Sequence, residues 1–294
     1  MAAAEIEQVK AASGDSFIKM IIRRFIKHKL ALFGLIITVF LILMSLFGLY
    51  LLPHTPTEQS LRNRFAPPSP EHRMGTDELG RDQLARIVSG GRVSIALGFV
   101  VSITSVLIGS TLGVVSGYMG GKIDDLLMRF VDFMLSLPLL AVLLIAAFII
   151  GPGFWNMVLV LVIFGWMGIC RVVRGETLAL KEEEFIQASR ALGVPTPLIL
   201  LRHIIPNVMA PVLVYATLGV GNAILQESYL SYLGLGIQPP TPSWGNMLMN
   251  ARQYLSSAPW LALWPGFFIF ITILAFNFMG DGLRDALDPK LKMN

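Results

Sequence analysis

Chemistry needs side chains that ionise, coordinate or attack, and few in this sequence are spaced to act together. Asp125, Arg129 and Asp132 stand at i, i+4 and i+7. That spacing puts them on one helical face and suits an Asp125 to Arg129 ion pair. Asn222 and Glu227 close an uncharged stretch and form the candidate substrate path, where Glu227 could meet a cationic cargo group from outside or serve as a solvated helix-end carboxylate. Gly120-Gly121-Lys122 continues with Ile123, where a phosphate-binding loop requires Ser or Thr. Neither a His-Glu-x-x-His pair nor a Gly-x-Ser-x-Gly elbow occurs, so metalloprotease and hydrolase chemistry have no carrier. Cys170 is the single cysteine and has neither a disulfide nor an evident metal partner. The expectation is a non-catalytic chain with no metal set and no cofactor of its own.

The elements that must position these residues follow from composition. Of 294 residues, 54% are hydrophobic and 14% charged, against about 25% charged in a soluble domain. A water-soluble fold of this length cannot hide so much apolar surface and keep so few charges outside. Lipid is therefore the solvent for most of the chain. Disorder, a disulfide-stapled secreted fold and a collagen-like repeat are excluded by the same numbers. The net charge of +4 is scattered between apolar runs, which argues against a nucleic-acid partner and for topology signals.

Residues 30–52 carry no Asp, Glu, Lys or Arg and as a helix reach about 34 Å, enough for a hydrocarbon core of about 30 Å. The run is too long for the apolar part of a signal peptide and reads as a retained anchor. Residues 93–121 form a second span. Residues 133–170 form a third and a fourth, divided at Gly151-Pro152-Gly153, and 204–226 and 260–280 complete six. The stretch 228–250 is also uncharged, but Gly234, Gly236, Pro239, Pro240, Pro242 and Gly245 mark it as a loop. The expected organisation is an all-α membrane protein with six transmembrane helices. It comprises a cytoplasmic tail (1–29), the first span (30–52), an extracytoplasmic segment (53–92) and a five-helix core (93–294). Placing both termini in the cytoplasm puts Lys10 and the majority of the 23 Lys and Arg inside, in the direction of the positive-inside rule.

Gly109, Gly113, Gly117 and Gly121 recur every four residues and predict a face where another helix approaches closely, either as plain packing or as a hinge. Within 53–92, a short interfacial helix over 77–89 would turn Leu84, Ile87 and Val88 inward. The inner loop 171–203 reads as two helices. One runs from Arg174 to Leu192 with Phe185, Ala188, Ser189 and Leu192 on one face. The other is started by Thr196-Pro197 and ends at Pro206. Gly193 supplies the stop between them. The spans hold no Asp, Glu, Lys, Arg or His inside, His203 and Glu227 lying at boundaries, so uphill transport would draw its energy from another subunit.

The inner loop carries a resemblance. Glu184-Phe185-Ile186-Gln187-Ala188-Ser189-Arg190-Ala191-Leu192-Gly193, followed by Arg202-His203-Ile204-Ile205-Pro206-Asn207, resembles the EAA loop of permease subunits of bacterial ATP-binding-cassette importers. Ala188, Gly193 and Pro206 match that pattern at its spacing, while Gln187, Ser189, His203 and Ile205 depart from it. Gly75-Thr76-Asp77-Glu78-Leu79-Gly80-Arg81-Asp82 looks like the amino-terminal signature of the C-type permease of oligopeptide and dipeptide importers. Glu227 to Gly236 with Ser243-Trp244-Gly245, and Gly280 to Pro289, resemble its carboxy-terminal half.

This resemblance implies a type I importer permease fold with a cytoplasmic coupling helix inside 171–207. It implies ATPase-coupling roles for Glu184, Phe185, Gln187, Ala188, Ser189, Arg190, Ala191 and Gly193. It further implies a second, different permease subunit, two cytoplasmic ATP-binding subunits that hold ATP and magnesium, an extracytoplasmic peptide-binding protein, and the bacterial cytoplasmic membrane. A nickel-chelate or other small-solute cargo stays open, as does a stand-alone secondary transporter, which would work from the purified chain without ATP.

Overall fold

The computed structural model describes residues 17–287. Lys10, most of the 1–29 tail and the Asp288-Pro289 pair lie outside the described residues. Among the described residues the regular structure is helical, with one isolated bridge between Thr76 and Asp82.

The tail region already holds a helix, α1 (Phe17–Lys27), in which apolar residues alternate with Arg23, Arg24 and Lys27 at helical spacing. His28 separates it from α2 (Lys29–Phe47), and its Nδ1 accepts from the Ala31 amide at 3.1 Å as the N-cap of α2. This helix is the first expected span.

Helix α3 (Gln83–Met119) begins earlier than the expected 93, because Asp82 caps it by accepting from the Ala85 amide at 2.8 Å. The separate helix expected over 77–89 is instead the opening of α3. Ile87 and Val88 are buried as expected, and Leu84 is half-buried. The charges near the start of the span have partners within the fold, although Nη1 of Arg86 is buried without a hydrogen-bond partner among the described residues. Arg92 donates to the Ser45 and Leu46 carbonyls at 2.5 and 2.6 Å, acceptors that the end of α2 leaves free. Arg86 lies 3.3 Å from the Asp77 carboxylate.

The third span is broken rather than straight. Helices α4 (Gly121–Ser136) and α5 (Leu139–Ile150) meet at 94°. Pro138 has no amide hydrogen and drives the preceding Leu137 to an extended conformation, which ends a helix. Gly151 and Gly153, both at positive φ, make the expected turn into α6 (Phe154–Lys181).

Helix α6 runs on to Lys181, and the inner-loop helix expected from Arg174 to Leu192 is divided at Glu182 and Glu183. Beyond that break come α7 (Glu184–Ala191) and the short α8 (Thr196–Ile199), whose N-cap is Pro195 rather than Thr196. The helix expected to end at Pro206 does not end there. A wide π turn over Leu200–Ile204 joins α8 to α9 (Ile205–Tyr232). The wide turn relieves the crowding between a proline ring and the carbonyl four residues earlier.

The loop expected over 228–250 is helical at both ends. Helix α9 extends to Tyr232, and α10 (Trp244–Ala251) opens with a reciprocal cap between Ser243 and Asn246. Helix α11 (Trp260–Leu287) is the last span.

Side-chain contacts order the two ends of the bundle. Helices α3 and α6 run parallel, since Gly109 meets Trp166 and Ile169, Gly113 meets Cys170, and Gly117 meets Arg174 and Thr177. Helix α11 runs antiparallel to α2, with Gly34 against Phe278 and Ala31 against Gly282, and antiparallel to α9, with Gly221 against Ile273 and Gly280 against Leu218. Lys29, Met119, Lys181, Ile205 and Leu287 therefore share one end. Phe47, Gln83, Phe154, Tyr232 and Trp260 share the other. The bent pair leaves the first end at Gly121 and reaches the second by Phe154, so it completes the sixth crossing.

The glycine seam between α3 and α6 is packing. A β-carbon on Gly113 would lie 2.6 Å from the Cys170 carbonyl oxygen, and one on Gly117 would lie 2.8 Å from that of Arg174. Gly121 is not part of it, because it follows the end of α3 and faces open space.

Candidate functional site

The inner loop presents a platform at the end that carries both ends of the described chain. Helix α7 is held by one stripe only. Ile186 is fully buried with Ile199 and Ile204, and four residues on, Arg190 donates from Nε to the Tyr118 hydroxyl at 3.1 Å while its guanidinium lies 4.6 Å from that ring's centroid. The opposite stripe is largely exposed. Phe185 is 43% exposed, Leu192 is 83% exposed, and Ala188 between them is exposed. Glu184, Gln187 and Ala191 are exposed as well, and Ser189 is half-buried, its hydroxyl donating to the Phe185 carbonyl at 2.8 Å. Of the expected face of Phe185, Ala188, Ser189 and Leu192, Ser189 is half-buried, and among the described residues the other three stay exposed, with the Phe185 ring 6.0 Å from that of His203.

Gly193 ends α7 with φ at +77°. Its amide donates to the Arg190 carbonyl at 2.9 Å, and the Val194 amide donates to that of Ser189 at 3.1 Å. This double bond pattern satisfies the last carbonyls of the helix and needs a left-handed residue at its turn.

The ion pairs beneath the platform differ from the expected one. Asp125 and Arg129 form no ion pair among the described residues. Instead Arg174 donates to both oxygens of the buried Asp124, from Nη2 to Oδ2 at 2.6 Å, and Arg171 pairs with Asp132. These bonds tie α6 to α4. Ser116 of α3 donates to the same Asp124 carboxylate, so three helices meet at one side chain.

The two residues of the expected substrate path are separated. Asn222 is exposed and lines a polar cavity of about 120 Å³ with Ser102, Ser105, Tyr215 and Gln226. Glu227 lies five residues on, about 140° around the helix, and is 0% exposed. It is neither a solvated helix end nor open to cargo from outside. Its Oε1 accepts from Ser231 at 2.6 Å and from Ser243 at 2.9 Å, and its Oε2 has no hydrogen-bond partner among the described residues. Since Ser243 caps α10, this carboxylate fastens the 233–243 connection to α9.

Two features escaped the sequence. Asp77 anchors a buried network at the other end, accepting from the Leu79 and Arg81 amides, both at 2.9 Å, and from Arg81 Nε at 2.7 Å. The Gly75 to Asp82 motif was the available signal for it. His54, Glu71 and His72 also come together, with no spacing to announce them.

Comparisons with known proteins agree with this architecture. A family described as "Binding-protein-dependent transport system inner membrane component" matches residues 109–293, and one described as "N-terminal TM domain of oligopeptide transport permease C" matches residues 16–68. The chain is 46% identical over 268 residues to a dipeptide transport system permease protein of Alkalihalophilus pseudofirmus, covering 90% of this chain and 88% of that one. It is 43% identical over 270 residues to an oligopeptide transport system permease protein of Haemophilus influenzae, covering 91% and 87%. It is 42% identical over 269 residues to the oligopeptide counterpart of Bacillus subtilis, covering 92% and 88%.

Proposed function

We propose a role for this chain from its family: it belongs to the binding-protein-dependent transport system inner membrane components, and it is the membrane permease subunit of an ATP-driven dipeptide or oligopeptide importer. The observation that carries the reading is the likeness over nine-tenths of the chain to permeases named for those cargoes. The chain contributes helices to the path and no catalytic residue.

Helix α7 is the coupling helix of this reading. It seats in a cleft of one of two cytoplasmic ATP-binding subunits, which hold ATP and magnesium, and a second, different permease completes the path. A separate extracytoplasmic protein delivers the peptide. The termini and the α7 platform face the cytoplasm of a bacterial cell, with the Asp77 end outside. Support comes from the exposed stripe of Phe185, Ala188 and Leu192, whose apolar surface suits a partner groove, and from its rigid seat on Ile186 and Arg190. Closure of the ATPase pair then moves α7 as a body, and the bundle alternates its access.

Ala188→Trp tests this. Ala188 is exposed, so the larger ring leaves this chain's own packing intact yet cannot enter a fitted cleft. Membrane insertion is expected to stay at the wild-type level while ATP hydrolysis no longer drives uptake of labelled dipeptide or pentapeptide in cells that lack the native gene. Normal uptake would overturn the coupling role. Uptake of nickel instead of peptide would overturn the cargo.

A further inference from the structure

We propose that His54, Glu71 and His72 form a binding site for a divalent transition ion of the zinc class, at the end of the bundle opposite the α7 platform. One ligand atom from each of the three lies within 4.8 Å of the others. Two imidazoles and a carboxylate are the donors that zinc takes, whereas calcium and magnesium take oxygen alone.

The second observation is the way His72 is held. Its ring is buried, and Nδ1 lies 3.0 Å from the carboxylate oxygen Oδ2 of Asp82. A carboxylate there holds the proton on Nδ1 and turns the Nε2 lone pair outward, the arrangement that orients a metal-binding histidine. The polar neighbour of Nε2 is the Asn63 amide nitrogen at 3.4 Å, a long contact that a cation would replace. His54 packs its ring 4.7 Å from that of His72 at an interplanar angle of 31° and makes no hydrogen bond among the described residues. Two imidazoles are thus brought side by side, tilted 31° to one another, with only the long Asn63 contact at His72 Nε2 competing for a cation.

Little has to move. Bonds of 2.0–2.1 Å in a tetrahedral site place ligand atoms about 3.3 Å apart. Glu71 is exposed and His54 half-buried, so these two side chains close on the fixed His72. The fourth position faces solvent and takes water. A bound ion would fasten the chain leaving α2 to the turn that caps α3 through Asp82, adding to the Arg92 bonds and to the packing of Gly48 against Val88 and of Ser45 against Gly91 that already join these helix ends.

Zinc chloride titrated into the full-length chain, purified without a histidine tag in lipid nanodiscs, tests the site by calorimetry, with cobalt absorption as a second reading. The expected result is one zinc per chain, with tetrahedral cobalt bands. His54→Ala and Glu71→Ala lie outside the buried network and keep the fold, and their double variant is expected to abolish binding. Asp82→Asn, which can still cap α3, is expected to weaken it about 10–100-fold. Absence of zinc binding in the wild type, or equal binding in the double variant, would overturn the proposal. Loss of binding in His28→Ala or His203→Ala instead would also overturn it, by placing the ion elsewhere.

Discussion

Substituting Gly193 separates backbone conformation from packing. The residue sits at φ +77°, and a β-carbon built on it meets nothing within 4 Å. Crowding inside the chain therefore contributes nothing, and the cost of a substitution is the cost of the left-handed turn. For an ordinary L residue that is roughly 1–2 kcal/mol. Asn tolerates the conformation better, and a β-branched Val tolerates it worse. One to two kcal/mol changes a population about 5–30-fold. If α7 must hold its angle for an ATPase subunit to seat, docking falls in the order Gly, Asn, Ala, Val. The assay is retention of the ATP-binding subunit on the immobilised permease across a titration, together with uptake of labelled dipeptide. Asn is larger than Ala, so an effect of bulk against the partner would rank Asn below Ala. That inverted order would refute the conformational account, and full docking by both Ala and Val would refute the need for the turn.

The same reasoning predicts opposite outcomes for one substitution at two glycines. Gly113→Ala drives a methyl to 2.6 Å from the Cys170 carbonyl oxygen and should cost about 1–3 kcal/mol by overpacking, whereas Gly175→Ala meets nothing within 4 Å and should gain about 0.5–1 kcal/mol of helix stability. Thermal melts of the purified chain should move in opposite directions, and parallel shifts would contradict the seam. Glu227→Gln keeps an acceptor for Ser231 and Ser243, so folding and dipeptide uptake should persist; lost uptake by a folded variant would put Glu227 in the path after all. Glu227→Leu strands both hydroxyls, at about 1–3 kcal/mol each, and should lower the melting temperature.

The six crossings were legible because apolar run length is a property of the chain itself. Their limits were less so, because a charge stops a span only when it has no partner. Arg86 and Arg92 have partners in Asp77 and the end of α2, and α3 continues through them. Local spacing pointed to Asp125 and Arg129, yet the bonded acid is Asp124, whose partner Arg174 is far along the chain. Glu227 shows the same difficulty from the other side. A carboxylate that ends an uncharged stretch looks solvated until Ser243, supplied by the next connection, is placed against it. The α7 face was readable from its own helical period, while the way it is anchored depends on Tyr118 at the end of another span.

That anchoring decides where a displacement of α7 would go. Tyr118 is the penultimate residue of α3, and α6 ends two residues before α7 begins with Glu184. Both neighbours are long, α3 reaching about 55 Å. The glycine seam holds them backbone to backbone, and Asp124 bonds to Arg174 and Ser116 across them. If α7 is the coupling helix, a push there would be carried along α3 and α6 together toward the Asp77 end. The compliant joints lie on the other side, at the π turn before Pro206 and at the 94° break before Pro138, where backbone bonds are already interrupted. On the proposed coupling role, a lever of two locked helices facing two hinged ones would turn a small movement of the platform into a change in which end of the bundle stands open.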